Sequence, residues 1–530
     1  MATPAIGLGY PEWTTKAEKR GLDPLGMQTT SVALYQLLLP GISNVTLRMR
    51  YYGFYAWLAQ RYAKDLGDTS VERWCLYLRR AEALYSLIAV HAGAERGVAG
   101  VDWASRAFAA SGPEVAFHPA TDRGEGAPQY LKQKFGAFGA AYGSQLLDIG
   151  VLEVVPGHRV PVPTRGIGDK LANAFESAIG ASADAFIAAA KAGTVGKSSL
   201  TSLAPMLPSR IAATGPERDL YEELLLVGDP AQKPRATSRS HSLRLVLRIA
   251  SDQRTSLRVD TLRWSLYASQ CGGAPALTAL GAEEDQQRFA WAVYQANDLL
   301  HVSYETILKL ALDILGGAPT GMPFEALLAQ TVSRLMSALG SHSVESWNEL
   351  IASLVLAKDP VSEKDPMSEF MLQQTAFRSS RPEVVTSEDS ARCSVLLLAV
   401  LHKRFGDLLE RIAREFPVLA QGDFLRSIVT EMRFLDEHAT ERFESLLARI
   451  VKQRVLDRHL WVAIQKFRGP AGDYTFLIEA DDGRMRLRQK DGPVLTNPRL
   501  SSAIAFLQDT HLLGPDGPTP AGLRLIQEAA

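Results

Sequence analysis

Apolar residues recur at three- and four-residue intervals along most of this chain, and that spacing restricts it to a helical architecture before any single motif is considered. The pattern is clear over 31–39, 46–66 and 71–91, with Pro40-Gly41 as a stop-and-turn pair between the first two. A polar stretch containing Gly and Pro, 111–127, reads as a loop. From 181 to 450 the helical spacing continues, interrupted by predicted linkers at 228–242, 316–323 and 358–392. The last holds Pro360, Pro366 and Pro382, and at its length it is either mobile or carries a short helix.

With 530 residues and a prior of about 150 per domain, the chain has room for roughly three to four domains. Its 46% hydrophobic and 22% charged residues exclude a disordered tail protein, a collagen-like fibre and a disulfide scaffold. Lys and Arg number 57 against 58 Asp and Glu, so any nucleic-acid site has to be a local patch on a neutral body. Cys75, Cys271 and Cys393 are too scattered for a disulfide framework or a four-thiolate metal site. The opening residues lack the apolar stretch of a signal peptide, and the densest apolar run, 395–401, falls short of the roughly 20 residues that span a bilayer. Asn44-Val45-Thr46 matches a glycosylation sequon, which without a secretion signal is a chance match. The expectation is a reduced, cytoplasmic protein with no membrane contact.

Two short segments break the helical monotony and echo each other. Helix over 130–147 is followed by strands at 151–155 and 160–162 around Pro156-Gly157-His158, and Thr164 then caps a helix running to about Ala178. Near the end, helix over 497–507 gives way to Leu512-Leu513, a Gly/Pro turn, Thr519-Pro520 and a closing helix. In both, a helix ends in an apolar pair (Leu146-Leu147-Asp148-Ile149-Gly150-Val151-Leu152; Leu507-Gln508-Asp509-Thr510-His511-Leu512-Leu513), and a short wing and a Thr-capped helix start follow. This order resembles the end of winged helix-turn-helix domains, which implies either DNA contact or protein docking. Just before the second segment, 474–480 and 484–490 form a hairpin signal, with Asp482-Gly483 supplying the positive φ angles of a tight turn. The expected fold is mainly α, a multidomain helical protein with two winged-helix-like modules and a small C-terminal β-hairpin. Its divisions would be a helical domain at 1–128, a module at 129–180, a central helical domain at 181–450, and hairpin plus module at 451–530.

Catalytic motifs are sparse. Residues 192–199 imitate a phosphate loop, but the first Gly of that motif would fall at Lys191, and an alanine-rich helix precedes the run where a buried strand is required. The histidines show no zinc spacing, a nucleophile elbow is absent, and Glu479 lacks the downstream lysine of a restriction-type nuclease. One polar stripe stands out. On a helix, Tyr294, Asp298, His301 and Glu305 share a face, which suits either acid–base or metal chemistry or a hydrogen-bonded seam between packed helices.

Basic patches are the stronger signal. Residues 233–263 carry Lys233, Arg235, Arg239, Arg244, Arg248, Arg254, Arg258 and Arg263 against Asp252 and Asp260. Arg244 and Arg248 share a helix face, as do Arg254 and Arg258, and arginine favours bidentate contact with phosphate or carboxylate. The alternative is salt-bridging to acidic helices between Glu410 and Glu444. Arg484, Arg486, Arg488 and Lys490 alternate along the second hairpin strand, so all four project from one face at about 7 Å spacing and repel unless a polyanion or acidic surface lies opposite. The aromatic and basic run 48–57 suits either a stacking clamp for single strands or a helix buried in core.

Residues 21–28, 39–46 and 50–55 resemble the opening of uncharacterised, mainly helical bacterial proteins encoded in anti-phage defence or DNA-modification gene clusters. That resemblance implies a subunit of a multi-protein complex and carries over no catalytic residue or cofactor. The expected function is non-catalytic binding of double-stranded DNA, through phosphate contacts, and of partner proteins. Its rivals are a pure scaffold that never meets nucleic acid, and an enzyme with its site near Asp298, His301 and Glu305.

Overall fold

The computed structural model describes residues 23–527 other than 94, 123–128, 229–232, 254–256, 272–273, 276, 278–279, 341–343, 379–384, 423–424 and 470–472. The chain is mainly helical, with small antiparallel strand pairs between the helices. No helix among the described residues is long and apolar enough to cross a membrane. Contacts divide it into two units, each assembled from three separate stretches, where the sequence suggested four consecutive blocks. One unit comprises Met1–Leu34, Arg263–Ala276 and Phe289–Thr496; the other comprises Tyr35–Leu262, Leu277–Arg288 and Asn497–Ala530.

The second of these units is organised around the helix Arg50–Asp65, in which Tyr51 through Leu58 are all buried. Its aromatic residues are core: Tyr51 stacks on Tyr142 and Tyr55, while Phe54 and Trp57 meet Phe175 of the helix Ile167–Ile179. Gly53 lets that packing close, since a Cβ there would lie 2.3 Å from the Tyr221 hydroxyl oxygen. Arg50 at the helix start is buried too. It donates to Glu217 (2.8 Å) and, through Nη1, to the carbonyl oxygens of Pro205 and Leu207 (2.6 Å each). The run 48–57 is therefore interior structure, and the stacking-clamp alternative is removed.

The helix Val71–His91 forms with the limits its periodicity predicts. The predicted loop at 111–127 instead contains the strand Glu114–Ala116, paired with Thr194–Gly196, and the short helix His118–Thr121. That pairing also explains the imitation phosphate loop. The helix Ser182–Ala192 ends at left-handed Gly193, the strand follows, and the Lys197 amine donates to the carbonyls of Phe108 and Ser111 (2.7 and 2.8 Å). Of the linkers, 228–242 is shortened by a helix starting at Lys233. Within 358–392 a short helix does form, Glu369–Phe377, capped by Ser368, and Thr386 caps Ser387–Phe405.

In the other unit, Ser387–Phe405 packs against Glu369–Phe377 and Phe324–Leu339. Its buried His402 has a fixed tautomer, because Trp347 Nε1 donates to Nδ1 (2.7 Å) and Nε2 donates to Asp436 (2.9 Å). The C-terminal hairpin also belongs to this unit. Ile478–Asp481 pairs with Arg484–Leu487 around Asp482 and Gly483, both at positive φ (49° and 71°), as the Asp-Gly turn predicts.

Removing one partner of a buried ion pair leaves the other charge without compensation. Glu217→Ala is therefore expected to lower unfolding free energy by about 3 kcal/mol or more through the stranded Arg50, measured by urea denaturation at neutral pH.

Candidate functional site

Each strand-face cation of the C-terminal hairpin has a partner inside the protein. The turn sets Asp481 opposite Arg484 and Glu479 opposite Arg486. Arg484 donates to the carbonyl of Gly321 (2.6 Å), Arg486 pairs with Asp481 (2.9 Å) and Lys490 with Asp313 (3.1 Å). Arg488 is sunk into the protein, 2.7 Å from fully buried Glu479 and over the Tyr474 ring. The regular strand ends at Leu487, so Arg488 and Lys490 lie beyond it. The acidic surface that four like charges require is thus supplied by the protein itself.

The basic stretch 233–263 divides in the same way. Arg235 pairs with Asp148, and Arg248 with Glu284 (2.9 Å). Arg239 donates to the carbonyls of Leu224 and Leu225 (2.8 and 3.0 Å) at the end of the helix Pro216–Leu226, and Arg263 is buried against Asp298. These partners are not the acidic helices between Glu410 and Glu444. Arg244 is half-buried, Arg258 is exposed, and Arg254 lies outside the described residues.

The stripe Asp298, His301 and Glu305 is buried on the helix Ala282–Gly316. It faces an extended piece of chain, Val494–Thr496, that has no sheet neighbour, so its peptide groups need side-chain partners. Val494 receives two: its carbonyl accepts from His301 Nε2 (2.6 Å) and its N–H donates to Glu305 (3.0 Å). Thr496 donates to Asp298 from its N–H (3.1 Å) and hydroxyl (2.7 Å), and its carbonyl accepts from Arg263 (2.9 Å). Tyr294 completes the seam with a 2.7 Å bond to the Thr496 hydroxyl. Among the described residues no group of three His, Cys, Asp or Glu is arranged to hold a metal ion.

Charge in this seam is self-compensating. Burial alone would lower the His301 pKa, but the charges of Asp298 and Glu305 outweigh it and raise the imidazole to about 9. Burial would raise Asp298, and His301 with Arg263 outweigh it, holding the carboxylate at about 2. For Glu305 burial wins over His301 and the Val494 N–H, giving about 7. At neutral pH His301 is therefore an imidazolium beside ionised Asp298, with Glu305 near its midpoint.

The two echoing segments are built by the same atoms. The N–H of Val151 donates to the Leu146 carbonyl (2.9 Å), as that of Leu512 does to Leu507 (2.8 Å). The Thr164 hydroxyl donates to the Gly150 carbonyl (2.7 Å) and accepts from the Gly168 N–H (3.2 Å); Thr519 does the same with His511 (2.7 Å) and Gly522 (3.3 Å). Gly150 and His511 both take the left-handed conformation (φ 82° and 56°). Even the aspartates correspond, with Asp148 accepting from the Gly41 N–H (2.8 Å) and Asp509 from that of Met49 (2.9 Å).

Their hairpins differ. In the first motif Leu152–Glu153 pairs with Val162–Pro163 and leaves residues 154–161 as a loop, whereas in the second only Pro515 and Asp516 lie between the paired residues. Around the longer loop His158, Arg159, Arg165 and Lys170 are exposed, and none of them makes an ion pair with a described residue. These residues form no run in the sequence, being spread over 158–170, and so give no patch signal. The readable signal was the extra length of the first loop.

Two outcomes follow from this geometry. His301 has its pKa raised from 6.5 to about 9, so its contribution is complete below pH 6.5 and is lost as pH rises through 9. Unfolding free energy should fall by on the order of 3 kcal/mol across that window, and urea titrations should show no such fall in His301→Asn. Thr164→Val and Thr519→Val should each cost about 1–2 kcal/mol by the same measurement, since each removes a hydrogen bond to a first-turn N–H of the following helix and a second one to a loop carbonyl.

No family model, no curated protein and no solved structure matches this chain.

Proposed function

We propose that the protein is a non-catalytic DNA-binding and protein-binding subunit of a multi-protein complex, of the defence type that its N-terminal segment resembles. The first motif acts as a winged-helix-like reader of duplex DNA. The observation that carries this reading is a set of exposed basic residues that make no ion pair with a described residue: His158 and Arg159 on the 154–161 loop, Arg165 in the turn after the second strand, and Lys170 in the first turn of the helix Ile167–Ile179. The motif's acids are turned to internal tasks: Asp148 pairs with Arg235, Asp169 accepts from Gln60, and Glu176 accepts from Trp57. Glu153 is the exposed acid at the wing base. Exposed arginines without an acidic partner, such as Arg159 and Arg165, contact phosphate and a narrow minor groove without base-specific demands. A non-catalytic role agrees with the buried stripe, whose Asp298, His301 and Glu305 are already engaged by Val494 and Thr496.

Protein docking has an observation of its own. Val154 and Val155 on the same loop are 45% and 40% exposed, an apolar contact that a protein partner would cover.

The test is binding of the purified chain to labelled duplex DNA across a salt series. Neutralising about four phosphates gives a log–log slope near −3.6. Arg159→Glu with Arg165→Glu should abolish binding, whereas Arg484→Glu with Arg486→Glu should leave the slope unchanged. No binding by the wild type at low salt would leave the scaffold reading in its place.

A further inference from the structure

A second concentration of positive charge lies in the unit that holds the C-terminal hairpin. Arg426 stands just before Ser427, the cap of the helix Ile428–Glu437; Arg454 lies in the π-helical stretch Ile450–Leu456, and Arg458 in the first turn of Asp457–Arg468. A π-helical stretch gives up regular hydrogen-bond geometry and re-aims its side chains, and such stretches recur at functional sites. Arg454 and Arg426 approach the two oxygens of buried Glu431, with Nε at 3.1 and 3.7 Å, and neither N–H is aligned for a hydrogen bond to it. Arg458 is anchored on the Leu25 carbonyl (2.8 Å). Burial, then the charge of Arg426, depresses its pKa to about 10, with Arg454 adding to the effect. Arg426 and Arg454 thus share the Glu431 carboxylate, and Arg458 lies close enough to feel the charge of both arginines. The charge of Asp23 also acts on Arg458, and Asp23 Oδ1 accepts from the N–H groups of Met27 and Gln28.

Arg454 is the least committed of the three. Its guanidinium lies 3.8 Å from the Phe434 ring centroid and makes no hydrogen bond with a described residue. It keeps 16% of its side chain exposed and Arg426 keeps 22%, so donors reach the surface from a partly desolvated floor. Planar guanidinium groups held in this way match an oxyanion in bidentate fashion, and weak solvation strengthens the contact. Beside them the Trp461 indole, 4.6 Å from the Arg458 guanidinium carbon and exposed by a third, offers an aromatic face. We infer that Arg426, Arg454 and Arg458 form a binding site for a phosphate group, with Trp461 placed to stack on a base attached to it. The ligand class is a nucleotide, free or within a single strand.

The experiment is arginine modification of the full-length wild-type chain by phenylglyoxal, mapped by peptide mass spectrometry. It is run in inorganic phosphate, in AMP, in a short single-stranded oligonucleotide, and in chloride at matched ionic strength. Phosphate should slow modification of Arg454 and Arg426 at least fivefold relative to chloride, while Arg433, paired with Glu410 elsewhere on the surface, should react equally in all conditions. Half-protection at a tenfold lower concentration of AMP than of phosphate would identify a free nucleotide. Half-protection at a lower nucleotide concentration for the oligonucleotide than for AMP would identify a strand. Arg454→Gln should weaken phosphate binding at least tenfold by calorimetry. Equal modification of Arg454 in phosphate, nucleotides and chloride would overturn the assignment, and so would full phosphate affinity in Arg454→Gln. Because Arg159→Glu with Arg165→Glu should leave protection intact, this result is read independently of the DNA reading.

Discussion

Buried peptide carbonyls that no helix or sheet can satisfy are the constraint on which this structure depends, and arginine is the residue that meets it. Arg79 gathers the carbonyls of Thr121, Leu131 and Gln133; Arg239 gathers those of Pro40, Leu224 and Leu225. Arg50, Arg263, Arg458 and Arg499 do the same for Pro205, Thr496, Leu25 and Leu39. A guanidinium offers five N–H donors in a fixed plane, so one side chain can hold several turns of irregular chain together. Lysine does this from a single point, as the Lys197 amine does for Phe108 and Ser111, without a plane of donors. A mainly helical protein with many non-helical connections therefore needs such residues inside, and for Arg50 and Arg263 the charge is balanced by buried Glu217 and Asp298.

The same logic governs the Val494–Thr496 segment. An extended chain crossing a helix would ordinarily be stabilised by a neighbouring strand; here side chains of one helix replace that strand. Asp298, His301 and Glu305 engage one edge of the peptide backbone, to which the alternate residues Val494 and Thr496 present their groups, which is why their spacing of three and four falls opposite an extended segment. A stripe that looks catalytic in sequence is thus a substitute for a hydrogen-bond ladder. Acidic and basic members are both needed, because peptide N–H and carbonyl groups must each find a partner.

Local features were legible in the sequence. The limits of Val71–His91, the Asp482-Gly483 turn and the echo between the two motifs all depend on periodicity, turn chemistry and short-range capping, which reside in consecutive residues. The basic patches were read less well. Whether an arginine faces a phosphate or a carbonyl is decided by what lies opposite in space, and Arg239 and Arg244 on one helix met different fates for that reason. One opposing surface could have been foreseen. A two-residue turn fixes register, so Glu479 and Asp481 were bound to sit across from Arg486 and Arg484. The cluster at Arg426, Arg454 and Arg458 could not, since the first two lie 28 positions apart.

Each unit is assembled from three stretches, and this sets the order in which the chain can fold during synthesis. The unit ending at Thr496 has all its parts once that residue is made. The other lacks its last stretch, Asn497–Ala530, although its first residue, Tyr35, was made long before. Its helix Lys233–Gln253 has the face that receives Pro520–Gln527 uncovered throughout that interval. Long-range closure of this kind is slow and leaves apolar surface open while it waits. On the ribosome, the older half of the sequence is the last to be finished.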